Sequence, residues 1–392
     1  MATVLAVHLA CALLPGEREY AEYGFGDFKR EFDRSYASAI EEARAASTFA
    51  RNLAWIRSHN AATDKSWYAA INRYADVEPQ EFRAAHAGLA PMAQPTVKPN
   101  ARSLPAADPP SSVDWRSRSV MTRVNDQKQC GSCWAFSAVE TLESHLALAT
   151  NTTPPLPLST QQVVDCAPNP RECGGTGGCD GGLQSVAFNY SSNQTSYNRT
   201  LGGLALARSY PYTGETGSCH RHKPAATHDG YVTLPTNDYS ALMSAVANLG
   251  PIAISVATAG LGWQFYGGGV FDGTSSLGGD ACGFAVDHGV QLVGYGEISN
   301  TSYAAPDSEG GGGGAGGGAA AKQYWLVRNS WGSSWGEKGY MRLKRFGEGK
   351  EPCGKDKARS IACEGDRRKS VEYCGLCAVL SLSLYPTGVR RV

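Results

Sequence analysis

The chain has 392 residues, and its 36 Lys and Arg balance its 36 Asp and Glu, so no net charge attracts it to nucleic acid or to a membrane surface. Hydrophobic residues make up 42% and charged residues 18%, which excludes a disordered or collagen-like chain. No apolar run approaches the roughly 18 residues that span a bilayer, and the 46 glycines and 12 cysteines predict many loops and crosslinks.

The start of the chain has the pattern of a secretory leader. Residues 4–14 form an apolar run too short to cross a membrane, but no Lys or Arg precedes it, so a buried N-terminal helix is the alternative. The cysteine content and five Asn-x-Ser/Thr glycan acceptors favour an oxidising compartment. These acceptors are Asn151, Asn189, Asn193, Asn198 and Asn300. We expect a signal peptide over residues 1–16 and a route through the secretory pathway, to a lysosome- or vacuole-like organelle or out of the cell.

Residues 25–90 are predicted to be helical. They contain almost no glycine, and Phe49, Leu53 and Ile56 share one face of a helix. The next segment, residues 91–110, is rich in proline, which disfavours helix. This segment is therefore predicted to be an extended linker that a protease can reach.

Past Asp114 the pattern changes to cysteines, a helical run over residues 134–149, glycine-rich loops and then strand-like runs. The strand-like runs are residues 252–256, 290–294 and 324–327. Helices followed by strands predict the α+β class. A polyglycine segment at residues 309–321 reads as a surface loop, because it has no side chains to bury.

The densest chemical signal is Gln127 followed by Cys130-Gly-Ser-Cys133-Trp, directly before the first helical run of this part. A thiol at a helix N-terminus meets the positive end of the helix dipole and free backbone N–H groups, which favour the thiolate. Cys133 is therefore a candidate nucleophile. Half of an ordinary disulfide and a Cys-x-x-Cys redox centre are equally good interpretations of this segment taken alone.

A thiolate that transfers acyl groups needs a base and a group that orients the base. His288 opens one apolar strand run and Asn329 closes another, so the two could lie on neighbouring strands that face the helix. Taken singly, a surface histidine and a turn asparagine are the more common interpretations. Together with Cys133 they favour nucleophilic catalysis.

Three stretches, CGSCWAFSA, VDHGVQLVGYG and NSWGSSWGEKGYMRLKR, resemble the papain family of cysteine peptidases, and within it the cathepsin L-like endopeptidases. The resemblance implies Cys133 as nucleophile, His288 as general base and acid, and Asn329 as the side chain that holds the imidazole. It also implies an oxyanion hole formed by Gln127 and the backbone N–H of Cys133. His288 and Asn329 are farther apart in sequence than is usual in the family, because residues 300–322 form an inserted loop.

The resemblance also implies a proenzyme. Residues 41–60 are similar to the helix of cathepsin L-like propeptides, except that Ala45 stands in an arginine position, and residues 70–76 resemble the second propeptide motif. Residues 17–107 would thus be an inhibitory propeptide. Residues 108–392 would be the catalytic domain, with an α+β, papain-like two-lobe fold of a helical lobe and an antiparallel β-barrel-like lobe.

The resemblance further implies a substrate cleft in which Gly181 and Gly182 bind an extended peptide. Trp331 would shield the bond between Asn329 and His288 from water. The pocket for the residue second before the scissile bond would be lined by Leu183, Gln184, Ala257, Val286 and Gly289. Its floor would be Leu382, or Val379 if Cys374 takes the family's last cysteine position. Either floor is apolar, so a hydrophobic or aromatic residue is expected there.

Three disulfides are implied by the resemblance, and Cys173, Cys353, Cys363 and Cys374 cannot be paired from sequence. The implied pairs are Cys130 with Cys179, Cys166 with Cys219, and Cys282 with Cys377. A zinc site at Cys374-x-x-Cys377 is disfavoured, because no second matching pair accompanies it. We expect neither a metal nor another cofactor.

These observations predict a cysteine endopeptidase that cleaves protein and peptide substrates through a Cys133 thioester. It would be a monomer made as an inactive precursor, inhibited by its own propeptide, with no nucleic-acid or membrane partner. The alternatives are a catalytically silent peptide-binding homologue, a disulfide oxidoreductase, and an exopeptidase in which His220 and His222 help to block the cleft.

Overall fold

The computed structural model describes residues 13–14, 16–63, 65–88, 109–192, 202–274, 282–298, 322–358, 362–365 and 369–392. Most of the expected signal peptide and of the proline-rich linker, the polyglycine segment, and the acceptors Asn193, Asn198 and Asn300 lie outside the described residues. Within the described part of the chain, no helix has the length and apolarity needed to cross a membrane.

The N-terminal region folds as α1 (Phe25–Glu31), α2 (Ala39–Asn60), β1 (Trp67–Ala69) and α3 (Pro79–His86). Ser38 caps α2 by accepting a hydrogen bond from the Glu41 amide, and Phe49, Leu53 and Ile56 are buried on one face, as the periodicity predicts. The prediction of helix is wrong for residues 67–69. They form a strand because their backbone pairs with residues 266–269, in the later part of the chain.

The part of the chain after residue 108 folds as two lobes. The first lobe is built on α4 (Cys133–Thr150), with α5 (Thr160–Cys166) and α6 (Gln184–Ser191) packed beside it. Most of α4 is buried, polar residues included, so this helix forms the centre of the domain rather than a surface. The remaining helices are α7 (Tyr239–Asn248) and α8 (Leu261–Phe265).

The second lobe is a twisted sheet. Its strands and those of two small pairs are β2 (Val113–Asp114), β3 (Ala226–Thr227), β4 (Gly230–Thr233), β5 (Ile252–Val256), β6 (Tyr266–Phe271), β7 (His288–Ile298), β8 (Lys322–Arg328), β9 (Tyr340–Lys344), β10 (Cys353–Asp356), β11 (Val371–Cys374), β12 (Ser383–Thr387) and β13 (Arg390–Arg391). The main sheet runs β1-β6-β9-β8-β7-β5-β12-β4, with β2 also paired to β7. Its pairings are antiparallel except the parallel pair β6–β9. This mixture of helix and sheet confirms the predicted α+β class.

Two apolar clusters hold the molecule together. One lies under the sheet and includes Trp67 and Phe49 of the N-terminal region, so that region packs on the sheet. The other joins α4, α5 and α6 to the end of the chain, including Leu384 of β12. The contact between α4 and β7 lies between these clusters, and there Ser137 donates a hydrogen bond to the Val290 carbonyl at 2.7 Å.

Candidate active site

Cys133 is the first residue of α4. The adjacent Cys130 is bonded to Cys179, whereas Cys133 is the free cysteine among the described residues and is fully buried. Its Sγ accepts a hydrogen bond from the Gly289 amide at 3.2 Å. Since Gly289 follows His288, this bond brings the start of β7 against the start of α4.

His288 and Asn329 meet where β7 begins and β8 ends. The two strands are antiparallel neighbours, and His288 Nε2 lies 2.8 Å from Asn329 Oδ1. The Trp331 ring lies over the imidazole, with 4.8 Å between ring centroids, and is 1% exposed. The asparagine amide can thus orient the ring in a site from which water is excluded.

Gln127 lies on the loop before α4. Its Oε1 accepts a hydrogen bond from Ser330 Oγ at 2.6 Å, which fixes the direction of the amide. Its Nε2 donates to the Cys130 carbonyl at 2.8 Å and to the carbonyl of His86 at 3.0 Å. A carbonyl of the N-terminal region therefore binds the side chain that the sequence assigns to the oxyanion hole.

Residues 82–88, which we call the plug, cross the cleft above Cys133. A Cβ on Gly88 would lie 2.2 Å from the Gly131 carbonyl oxygen and 2.8 Å from Cys133 Sγ, so only glycine fits there without a shift. The Gly88 carbonyl accepts a hydrogen bond from the Gly182 amide at 3.1 Å. The Gly182 backbone therefore holds an extended peptide segment, although here that segment belongs to the same chain.

The other end of the plug lies against Trp331. The Phe82 and Trp331 rings meet edge to face, with 4.8 Å between centroids. Arg83 pairs with Asp287, the residue before His288, at 2.6 Å. The plug thus runs from the Trp331 side of Cys133 to the Gly182 side.

Burial under the plug favours the uncharged forms of Cys133 and His288. Desolvation raises the pKa of Cys133 to about 12, although the Gly289 amide favours the thiolate. Desolvation also lowers the pKa of His288 to about 4, although the hydrogen bond to Asn329 acts to raise it. The thiolate that a helix N-terminus favours is therefore suppressed while the plug is in place.

Most of the predicted pocket residues are buried beside α6 or next to the start of β7. Leu183 and Val286 belong to the cluster that joins the lobes, and Leu382 packs against it, whereas Val379 is buried in the cluster under the sheet. Gln184 is fully buried, with its amide bonded to the Ile254 carbonyl at 2.9 Å, so it supports the wall rather than offering a free donor. The remaining residues, Ala257 and Gly289, lie against the Cys377 carbonyl and Gln184 respectively.

Five disulfides form among the described residues. Three join the pairs that the family resemblance implies: Cys130–Cys179, Cys166–Cys219 and Cys282–Cys377. The other two, Cys173–Cys363 and Cys353–Cys374, join cysteines that sequence left unpaired. The Cys282–Cys377 bond sets the position of Leu382 relative to the sheet.

Sequence reasoning missed the ion pairs that fasten the N-terminal region to the catalytic domain. Arg73 bonds Asp126 at 2.5 Å, as Arg83 bonds Asp287. Burial acts to raise the pKa of Asp126, but the hydrogen bonds from Arg73 and from the Lys128 amide outweigh it and lower that pKa. Burial raises the pKa of Asp287 despite Arg83. Asp287 stood in a conspicuous motif, but nothing in the sequence distinguished the two arginines from surface charges.

Comparison with known proteins identifies the family. The papain family cysteine protease model matches residues 109–363. The chain belongs to the papain family of cysteine proteases. The cathepsin propeptide inhibitor domain (I29) model matches residues 25–82, so this protease is made with a propeptide that includes α1, α2 and β1.

Relatives and solved structures agree with this assignment. Cysteine proteinase EP-B 1 of Hordeum vulgare is 36% identical over 78% of this chain and 74% of its own length. Thiol protease SEN102 of Hemerocallis sp. is 34% identical over 78% of this chain and 76% of its own length. Digestive procathepsin L 3 of Tenebrio molitor superposes with a TM-score of 0.67 and 30% identity over 92% of this chain and 97% of its own. The recombinant stem bromelain precursor superposes with a TM-score of 0.68 and 29% identity over 93% of this chain and 97% of its own. The fold is therefore that of a papain-like proenzyme.

Proposed function

We propose that the mature protein is a cysteine endopeptidase in which Cys133, His288 and Asn329 carry out catalysis. Once the plug leaves, water and substrate dipoles reach the pair, and proton transfer from Cys133 to His288 gives a thiolate and an imidazolium. The thiolate attacks the peptide carbonyl carbon, and the oxyanion accepts hydrogen bonds from Gln127 Nε2 and the Cys133 amide. His288 returns the proton to the leaving amine as the C–N bond breaks, and a thioester remains. Water then hydrolyses the thioester, with His288 as base.

The observation that carries this proposal is the binding of the plug. The His86 carbonyl accepts a hydrogen bond from Gln127, and the Gly88 carbonyl accepts one from Gly182, on either side of a free thiol. A substrate needs these same donors, one for its scissile carbonyl and one for its extended backbone. The plug therefore inhibits by occupying the groups that catalysis uses.

The proposed substrate preference follows from the apolar side chains of the predicted pocket. Leu183, Val286 and Leu382 offer a branched aliphatic surface, and the buried Gln184 amide is already bonded to β5. A hydrophobic or aromatic side chain second before the scissile bond would gain apolar burial without leaving a polar group unsatisfied.

We further propose residues 1–16 as a signal peptide, residues 17–107 as the propeptide and residues 108–392 as the monomeric catalytic domain. The five disulfides support an oxidising route through the secretory pathway. A lysosome- or vacuole-like compartment, or the cell exterior, would be the destination. N-terminal sequencing of the secreted precursor and of the mature enzyme tests both boundaries.

The catalytic assignment is tested with Cys133→Ser in the full-length precursor, matured in trans by wild-type enzyme that is then removed. We expect the rate of protein hydrolysis at pH 5 to fall by more than about 1,000-fold, since the hydroxyl is a far weaker nucleophile. Unchanged thermal unfolding serves as the control for folding. Retention of activity in Cys133→Ser would refute the role of Cys133. If the wild-type enzyme removed only dipeptides from a denatured protein, endopeptidase action would be refuted.

A further inference from the structure

The described residues between 346 and 376 form an extension of the strand lobe between β9 and the end of the chain. Strands β10 and β11 pair as a hairpin whose base is closed by Cys353–Cys374. Immediately beyond it, Cys377 is bonded to Cys282, and its carbonyl accepts a hydrogen bond from the Ala257 amide at 2.8 Å. The hairpin is therefore firmly attached to the strand lobe.

The far part of this extension is attached to the other lobe. Cys363 is bonded to Cys173, which lies on the loop between α5 and α6 of the helical lobe. Two backbone hydrogen bonds flank the disulfide: the Gly174 amide donates to the Ala362 carbonyl at 2.8 Å, and the Glu364 amide to the Arg171 carbonyl at 2.7 Å. We call this crosslink, with its two hydrogen bonds, the clasp. It joins the two lobes whose boundary forms the cleft.

The clasp lies directly behind one wall of the substrate pocket. A Cβ on Gly174 would lie 2.8 Å from Leu183 Cδ2, and Gly174 has φ +69°, so the clasped loop packs tightly on Leu183. Cys363 and Tyr373 are each 4% exposed and belong to the same buried cluster as Leu183 and Val286. The extension thus provides the layer of side chains that supports the pocket.

We propose that the clasp is a specificity element: it fixes the position of the Leu183 wall and thereby sets how well the pocket holds a large apolar side chain second before the scissile bond. The proposal rests on the peptidase function and pocket proposed above. Without the disulfide, the loop is no longer joined covalently to the extension, and the wall can move away from the substrate. An aromatic ring then loses more contact area than a methyl group, so discrimination between them falls.

The test compares two double variants of the full-length chain, each matured and assayed with two peptides that differ only in phenylalanine or alanine at that position. Cys173→Ser with Cys363→Ser removes the clasp. Cys353→Ser with Cys374→Ser removes the neighbouring disulfide of the same extension, which does not connect the lobes, and is the matched control. Mass spectrometry verifies that the other disulfides are intact under the assay conditions.

We expect the ratio of kcat/KM for phenylalanine over alanine to fall about tenfold in the clasp variant, mainly through a higher KM for the phenylalanine peptide, and to stay within about twofold in the control. An unchanged ratio in the clasp variant, or an equal fall in both variants, would overturn the proposal. A wild-type enzyme that shows no preference for phenylalanine would instead refute the proposed pocket.

If the clasp variant does not mature, Gly174→Ala provides the test with every disulfide retained. The added methyl would lie 2.8 Å from Leu183 Cδ2 and 3.0 Å from the Gly182 carbonyl carbon, so the Leu183 wall must shift. The phenylalanine-to-alanine ratio is expected to fall. A wild-type ratio in this variant would equally overturn the proposal.

Discussion

The propeptide contacts the catalytic domain through two regions of opposite character. The anchor, residues 66–72, adds β1 to the edge of the sheet and buries Trp67 to 1% exposure against Phe271. The plug, residues 82–88, uses backbone carbonyls, the Arg83–Asp287 pair and a buried histidine. The difference indicates that the anchor supplies mainly apolar binding free energy, whereas the plug covers the reactive groups. We therefore expect the plug to supply the inhibition and, through His86, part of its dependence on pH.

The largest effect is expected from Trp67→Ala in the anchor. Loss of this ring should weaken propeptide binding by about 3–5 kcal/mol, which is about 150-fold to several thousandfold in affinity. The precursor should then hydrolyse a small fluorogenic peptide at pH 7 before any cleavage of the chain. Ile40→Ala, at a propeptide side chain that is 84% exposed, is the matched control and should remain inactive. An inactive Trp67→Ala precursor would mean that the plug alone maintains inhibition.

A smaller effect is expected from Gly88→Ala in the plug. The new methyl would meet the Gly131 carbonyl and the Cys133 sulfur, so the plug must shift at a cost of about 1–3 kcal/mol. We expect precursor activity on the small peptide to rise about tenfold or more, with the propeptide still bound through the anchor in gel filtration. With the proposed propeptide of residues 17–107 removed, the mature enzyme would not contain residue 88, and its kcat/KM should equal that of the wild type. Release of the propeptide by this change would erase the distinction between anchor and plug.

The smallest effect, and the sharpest in pH, is expected from His86→Gln. Burial lowers the pKa of His86 to about 4, helped by the nearby His288 and Arg73 and opposed by the Phe82 carbonyl and Asp126. The bound plug therefore prefers neutral His86. The contribution of neutral His86 to binding is nearly complete above pH 6.5 and is lost as the pH falls from there toward 4, by about 1.4 kcal/mol at pH 5.5.

Glutamine cannot be protonated, so the pH at which the precursor converts to the mature enzyme should move down in His86→Gln by up to about one unit. Conversion is followed by gel electrophoresis after incubation at stepped pH values, and the wild-type precursor provides the reference midpoint. A midpoint that does not move would assign the acid response to other groups, such as Asp287 and Asp126.

Local patterns predicted most elements of the fold. Strand β5 has the predicted bounds, and α4 begins one residue earlier and ends one residue later than the predicted run. The failure is β1, because three residues inside a helix-rich segment become a strand only through pairing with β6, more than 190 residues away. Periodicity within a segment carries no information about such a partner.

The candidate site was predictable in its residue types and less so in its surroundings. The motifs around Cys133, His288 and Asn329 identify the chemistry, because nucleophile, base and orienting amide each need a specific side chain. The choice between Leu382 and Val379 depended on which cysteine pairs with Cys282. Which cysteine pairs with Cys282 depends on which one lies close to it in the folded chain, and the structure joins it to Cys377.

The sequence by itself determined the family, the α+β class and the residue types of the active site, since these are written in contiguous motifs and in helix and strand periodicity. Only the tertiary structure decided that Gly88 lies over Cys133, that Arg83 reaches Asp287 and that Cys173 is joined to Cys363. These contacts connect residues far apart in the chain, and burial changes their energetics. A thiol that its helix would ionise is kept neutral because the plug removes it from water.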